Sequence, residues 1–200
     1  NRWFKSWVQT LSYMPHFISL VVICGMILDF LQPDGIINRM LVALHIVKEP
    51  INFMILPEWF RTIYIGSGLW QSVGWNSIIY LAALSAINPT LYEAAVVDGA
   101  NRWKQLWHVT LPGIMPTVII LLILNVGHLM SVGFDKIILL YNPATYETAD
   151  VISTFVYRRG VLEANYSFSA AVGLFNSVIN FALLVTANRI SRKMTESSLW

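Results

Sequence analysis

Four long apolar runs alternate with polar stretches along this chain, and the runs have the length of a bilayer crossing. The runs 62–87, 113–134 and 164–188 contain no Asp, Glu, Lys or Arg, and the run 11–31 contains only Asp29 near its far end. A helix rises about 1.5 Å per residue and a bilayer core is roughly 30 Å thick, so about 20 apolar residues suffice to cross it. Each run therefore predicts one spanning helix. Residues 1–10, with Arg2, Trp3, Lys5 and Trp7, read as an interfacial loop leading into the first span. In the region 32–61, Pro33-Asp34-Gly35 signals a turn. Ile36, Ile37, Met40, Leu41, Leu44 and Val47 then share one helical face, while Asn38, Arg39, His45 and Lys48 lie off it. This predicts an amphipathic helix in an external region, and 135–163 forms a second such region. Residues 189–200 form a polar tail.

The stretch 88–112 differs in kind. Within it, residues 93–112 are a mostly polar island between two spans. Glu93-Ala94-Ala95 opens a helical pattern, Asp98-Gly99 interrupts it, Trp103, Leu106 and Trp107 resume it, and Leu111-Pro112 closes it. Glycine tolerates the positive φ that ends one helix and begins another. The expectation is two short helices joined at a glycine elbow, with few apolar groups of their own to bury.

The spacing Glu-Ala-Ala, three residues, Gly99, nine residues, Val109, one residue, Leu111-Pro112 resembles the EAA loop of ABC-importer permeases, with Val109 standing where Ile is usual. The trio Asp98-Gly99-Ala100 is similar to the form common in sugar permeases. Three further stretches resemble the branch that imports oligosaccharides and polysaccharide fragments. They are Tyr13-Met14-Pro15-His16-Phe17-Ile18-Ser19, Gly133-Phe134-Asp135-Lys136 and Ala170-Ala171-Val172-Gly173-Leu174-Phe175. The resemblance covers nearly the whole chain. It implies an all-α, polytopic, MetI-like helical bundle in the cytoplasmic membrane of a bacterium, with further helices before residue 1. It also implies partners: a second permease, an ABC ATPase dimer that binds ATP and Mg, and an external solute-binding protein. The short helix around Glu93–Gly99 would seat in the ATPase cleft. Glu93 and Asp98 would be polar anchors, Ala94 and Ala95 small contact surfaces and Gly99 the elbow, with Ala100 also in the coupling set.

Composition agrees with a chain built for lipid. Apolar residues make up 56% and charged residues 12%, with a mean hydropathy of +0.59, against about 45–50% and about 25% in soluble domains. A net charge of +2 offers no basis for binding nucleic acid. Eight Trp and eight Tyr suit membrane interfaces. The single cysteine, Cys24, inside an apolar run, reads as a packing residue. Arg2, Lys5, Arg102, Lys104, Arg189, Arg192 and Lys193 are packed into short segments, which makes that side cytoplasmic; Arg158-Arg159 on the other side opposes this assignment.

The sequence carries no G-x-x-x-x-G-K-[ST] loop, no H-E-x-x-H and no G-x-S-x-G, and its four histidines are scattered, so neither catalysis nor a metal site is expected of it. The informative polar residues are those inside spans. Asn76 and Tyr80, Asn125 and His128, and Asn176 and Asn180 pair at helical spacing. None is charged, which suits a neutral, hydroxyl-rich solute better than an ion. The competing role for each is hydrogen-bonding between helices. The expected function is solute passage in an oligosaccharide importer; an ABC permease for another solute class, or a secondary carrier without an ATPase, are the alternatives.

Overall fold

The computed structural model describes residues 2–130 and 132–195. Among them every regular element is helical: α1 (Arg2–Tyr13), α2 (Leu20–Leu31), α3 (Ile36–Ala43), α4 (Pro57–Ser85), α5 (Pro89–Val97), α6 (Arg102–Gln105), α7 (Leu111–Gly127), α8 (Phe134–Leu140), α9 (Tyr146–Ala149), α10 (Ile152–Val156) and α11 (Tyr166–Thr195). Three stretches, Leu20–Ala43, Arg102–Gly127 and Tyr166–Arg192, are long and apolar enough to cross a membrane. Helix α4 is 29 residues long and uncharged from Thr62 onward, but its Gly, Ser, Gln and Asn residues dilute its apolarity and it is not among the three.

The N-terminal third corrects two expectations. Residues 2–10 are helical, because Trp3, Phe4, Trp7, Val8 and Leu11 fall on one side of α1 and Lys5, Ser6 and Gln9 on the other. The run 11–31 is not one helix. Pro15 lacks the N–H that a continuing helix needs, so α1 stops at Tyr13 and a 3₁₀ turn spans Met14–Phe17. Ile18 is extended before α2 begins. The twelve residues of α2 measure only about 18 Å. The turn at 32–35 then separates α2 from α3, which is eight residues long and ends at Ala43, short of the predicted Val47. At the other end, α11 carries helix through Thr195 into the predicted tail; Asn1 and residues 196–200 lie outside the described residues.

The contacts divide the chain into two units, residues 1–75 with 131–172, and residues 76–130 with 173–200. In the first, Cys24, Met54, Phe60, Ile137, Leu140 and Ala149 form a buried cluster, so Cys24 does pack as expected. Helix α1 lies against α4 so closely that a Cβ on Gly74 would collide with the Ser12 carbonyl oxygen. Side chains tie the two predicted external regions to each other: Asn142 Nδ2 donates to Met54 O at 2.7 Å and Thr148 Oγ1 to Pro57 O at 2.7 Å. Asn38 is no solvent-facing residue. It is 1% exposed, its Nδ2 donates to Gln32 O and Ile51 O at 2.8 Å each, and its Oδ1 accepts from Ile51 N at 2.8 Å. Lys136 is also buried; its Nζ donates to Tyr64 O at 3.2 Å and stands 5.2 Å from the centre of the Tyr64 ring. Burial lowers its pKa.

The charges that opposed the orientation rule are locally compensated. Arg158 grips both carboxylate oxygens of Asp150, and Arg159 pairs with Glu163. In the second unit, Ile123 of α7 is buried, a Cβ on Gly127 would press on the Leu184 side chain of α11, and Met130 N donates to Asn180 Oδ1 at 3.3 Å.

Candidate functional site

The polar island begins earlier than its motif. Asn88 caps α5, its Oδ1 accepting from Thr90 N at 3.0 Å, and Pro89 occupies the first turn, where a missing N–H costs nothing. The helix thus starts four residues before Glu93; the Asn-Pro pair is the sequence signal for it. At its other end α5 closes as the glycine predicts. Gly99 has φ +74, Gly99 N donates to Val96 O at 3.0 Å, and Ala100 N donates to Ala95 O at 2.8 Å. These are the two bonds of a Schellman closure, which satisfies carbonyls that the helix end would leave open.

Beyond the elbow there is no second, separate short helix. Asn101 Oδ1 caps α6 through Lys104 N at 2.9 Å, and Gln105 Nε2 reaches back to Ala100 O at 3.0 Å. A π turn over Leu106–Thr110 then leads directly into α7, Leu111 N donating to Leu106 O. The wider turn has a physical reason. Pro112 would press its ring against the carbonyl four residues back in a regular helix, and a π turn relieves such a conflict. Leu111-Pro112 therefore lies inside a helical run from Arg102 to Gly127, and Pro116 is in the interior of α7 instead of its first turn. That run stops at Gly127, with His128 as its cap, so helix does not continue to Phe134. One hydrogen bond that no local pattern announces, Tyr92 Oη to Thr110 Oγ1 at 2.9 Å, links α5 to the π turn across 18 residues.

On this frame Glu93, Ala94, Asp98 and Gly99 are exposed, and Ala95 and Ala100 are half-buried. Carboxylates at Glu93 and Asp98 and cations at Arg102 and Lys104 are all exposed on one short segment. The island is not short of apolar groups, contrary to expectation; it leaves them uncovered. Val97 is 87% exposed and Trp103 70%, and Leu91, Val96 and Trp107 are exposed with them. Apolar surface rimmed by charge marks a contact surface.

The six polar span residues all belong to the second unit and differ in what they do. Asn76 and Tyr80 are exposed on α4. Asn125 is exposed and turns back on its own helix, Nδ2 donating to Leu121 O at 2.7 Å. His128 is exposed at the end of α7. Asn180 bridges to Met130 and so takes the interhelical role. Asn176, half-buried one turn before it, has a buried Oδ1 with no hydrogen-bond partner among the described residues. Among the described residues no group of three His, Cys, Asp or Glu stands together as a metal site.

Comparison with known proteins bears on this geometry. The family described as the binding-protein-dependent transport system inner membrane component matches residues 1–196. The chain belongs to that family. It is 42% identical, over 98% of its length, to the polygalacturonan/rhamnogalacturonan transport system permease protein YteP of Bacillus subtilis (strain 168), and 38% identical, over 98%, to Protein LplB of the same strain. It spans 61% and 62% of these two relatives, about three fifths of their length. Among solved structures it superposes with a TM-score of 0.94 and 46% identity on a chain of a bacterial alginate ABC transporter in complex with an alginate pentasaccharide-bound periplasmic protein. That match covers 100% of this chain and 69% of the other. A second match, to a bacterial ABC transporter involved in import of the acidic polysaccharide alginate, has a TM-score of 0.91 and 49% identity, over 96% and 67% of the two chains. The chain is thus a membrane transport component with the all-α fold expected of it.

Proposed function

We propose that this chain is a permease subunit of an ATP-binding-cassette importer for acidic oligosaccharides, crossing a bacterial cytoplasmic membrane several times. The observation that carries the reading is the Schellman elbow at Gly99, which displays uncovered Val97 and Trp103 beside exposed carboxylates and cations in a chain of this family. In this reading an ATPase dimer binds ATP and Mg, and its closure moves α5. Because the segment after the elbow is helical to Gly127, the motion passes into α7 as rigid-body rocking. A second permease and an external solute-binding protein complete the assembly. Relatives named for polygalacturonan and alginate support an acidic solute. The uncharged amides of Asn125, Asn176 and Asn180, with His128, Asn76 and Tyr80, suit the hydroxyls of such a chain more than its carboxylates. Residues 88–112 would face the cytoplasm, and 32–61 and 135–163 the outside.

The test is reconstitution of the complete importer in vesicles with its solute-binding protein. Uptake of oligogalacturonate that requires ATP and exceeds uptake of a neutral oligosaccharide of equal length is expected. Uptake that persists without the ATPase, or that favours the neutral sugar, overturns the reading.

A further inference from the structure

Two adjacent arginines end in contrasting settings. Arg158 is fixed: its guanidinium grips both oxygens of Asp150 and lies 4.4 Å from the centre of the Tyr146 ring, with 22% of its side chain exposed. Among the described residues Arg159 has a single ion pair, Nη1 to Glu163 Oε2 at 2.9 Å, with 57% and 54% of the two side chains exposed. An exposed pair four residues apart contributes little to stability, so a competing carboxylate displaces it at little cost. Arg159 and Glu163 also line a cavity of about 240 Å³ with Phe155, Asn165 and Phe168. The two phenylalanine rings meet edge to face at 6.0 Å, and the guanidinium stands 5.9 Å from the Phe155 ring centre. Asn165 caps the thirty-residue α11, its Oδ1 accepting from Phe168 N at 3.3 Å, which leaves its amide N–H groups to donate. The N-terminus of a long helix adds partial positive charge at the same place.

These features together match one sugar unit bearing a carboxylate. The guanidinium takes the carboxylate in fork geometry, the aromatic rings offer apolar faces to the sugar ring, and the Asn165 amide donates to a hydroxyl or ring oxygen. The volume is below the roughly 300–1,000 Å³ of pockets that enclose drug-sized ligands, which limits it to a single unit of a longer chain. We infer that the cavity formed by Phe155, Arg159, Asn165 and Phe168 is a binding subsite for a uronate unit, with Glu163 occupying the carboxylate position while the subsite is empty. This rests on the reading of the solute as an acidic oligosaccharide, and it supplies the cation that the polar span residues lack.

The two charges then predict effects of opposite sign. Binding of trigalacturonate and of its methyl ester is measured by calorimetry on the assembled importer in lipid nanodiscs, without the solute-binding protein. Arg159→Gln should weaken trigalacturonate binding roughly tenfold or more, the loss of a charge-assisted contact. Glu163→Gln should strengthen it roughly twofold, since a competitor is removed. Neither change should alter binding of the ester. The subsite is overturned if both variants shift acid binding in the same direction or if neither shifts it. A wild-type importer that binds ester and acid equally sinks the acidic-solute reading itself. Unchanged acid binding in Arg159→Gln, with the wild-type preference for acid intact, sinks the subsite alone.

Discussion

Replacing Gly99 isolates backbone strain at the elbow from every other effect. A Cβ built there meets no atom of the described residues within 4 Å, so crowding at Cβ does not oppose a substitution. What opposes it is φ +74, which costs a non-glycine residue about 1–2 kcal/mol, least for Asn and most for a β-branched side chain. The alternative is to leave that conformation, which breaks the bonds from Gly99 N to Val96 O and from Ala100 N to Ala95 O. Each is worth about 0.5–1.5 kcal/mol, so leaving costs about 1–3 kcal/mol. For Asn the strain is the smaller quantity and the elbow persists. For Val the two are comparable and the elbow opens in a large fraction of molecules. The expected order of damage is therefore Asn, then Ala, then Val, with all three variants inserted in the membrane. The assay is co-purification of the ATPase subunit together with solute-stimulated ATP hydrolysis in reconstituted vesicles. Full ATPase docking and hydrolysis in Gly99→Val, or damage by Gly99→Asn equal to that by Val, refutes the reasoning.

Four other substitutions have definite expected outcomes. Asn38→Ala removes three hydrogen bonds of 2.8 Å from a buried position and leaves Ile51 N–H without its acceptor, a loss of about 2–4 kcal/mol that a lowered thermal midpoint of the purified complex would register. Asp150 has its pKa lowered chiefly by the hydrogen bonds from Arg158, so its contribution is present above the ordinary carboxylate range and fades as pH falls through the depressed value; Asp150→Asn should lower the midpoint at pH 7 and flatten that acid-side loss, measured by melting the complex across pH. Asn176→Leu should reduce uptake without affecting assembly, since its Oδ1 has no partner among the described residues, whereas Asn180→Leu should also destabilise the α7–α11 contact through Met130; equal effects on the melting midpoint would contradict the distinction.

The apolar runs and the Gly99 elbow are legible in the sequence because both obey short-range rules: span length, and a residue able to adopt positive φ. The breaks are harder to read. Pro15 is tolerated in the first turn of a helix, so it marks a break only once α1 is known to precede it, and the aromatic and basic content of residues 1–10 masks their helical period. Pro112 has the character of a terminator because a regular helix rejects it, and the π turn that accommodates it has no sequence mark. Asn38 sits off the apolar face of α3, where a polar residue ordinarily meets solvent, yet its partners Gln32 and Ile51 lie outside the helix that the face describes. Tyr92 and Thr110 likewise meet only through the fold. Capping, by contrast, is local and legible: Asn88-Pro89 marks the start of α5, four residues ahead of the Glu-Ala-Ala motif that otherwise looks like its beginning.

The helical run from Arg102 to Gly127 also sets a gearing. Its 26 residues measure about 39 Å, so a tilt of about 10° pivoting at the elbow sweeps the far end through about 7 Å. That end is where His128 closes the helix and Met130 holds Asn180 of α11, so a small angular input at Trp103 arrives there as a displacement larger than one helical turn. The π turn lies about two to three turns from the pivot, in the near half of the lever, where a given loss of stiffness subtracts more travel from the tip than it would farther along. Under the proposed coupling, substitutions at Leu106–Thr110 should therefore change the stroke of the lever while leaving ATPase docking at the elbow unchanged.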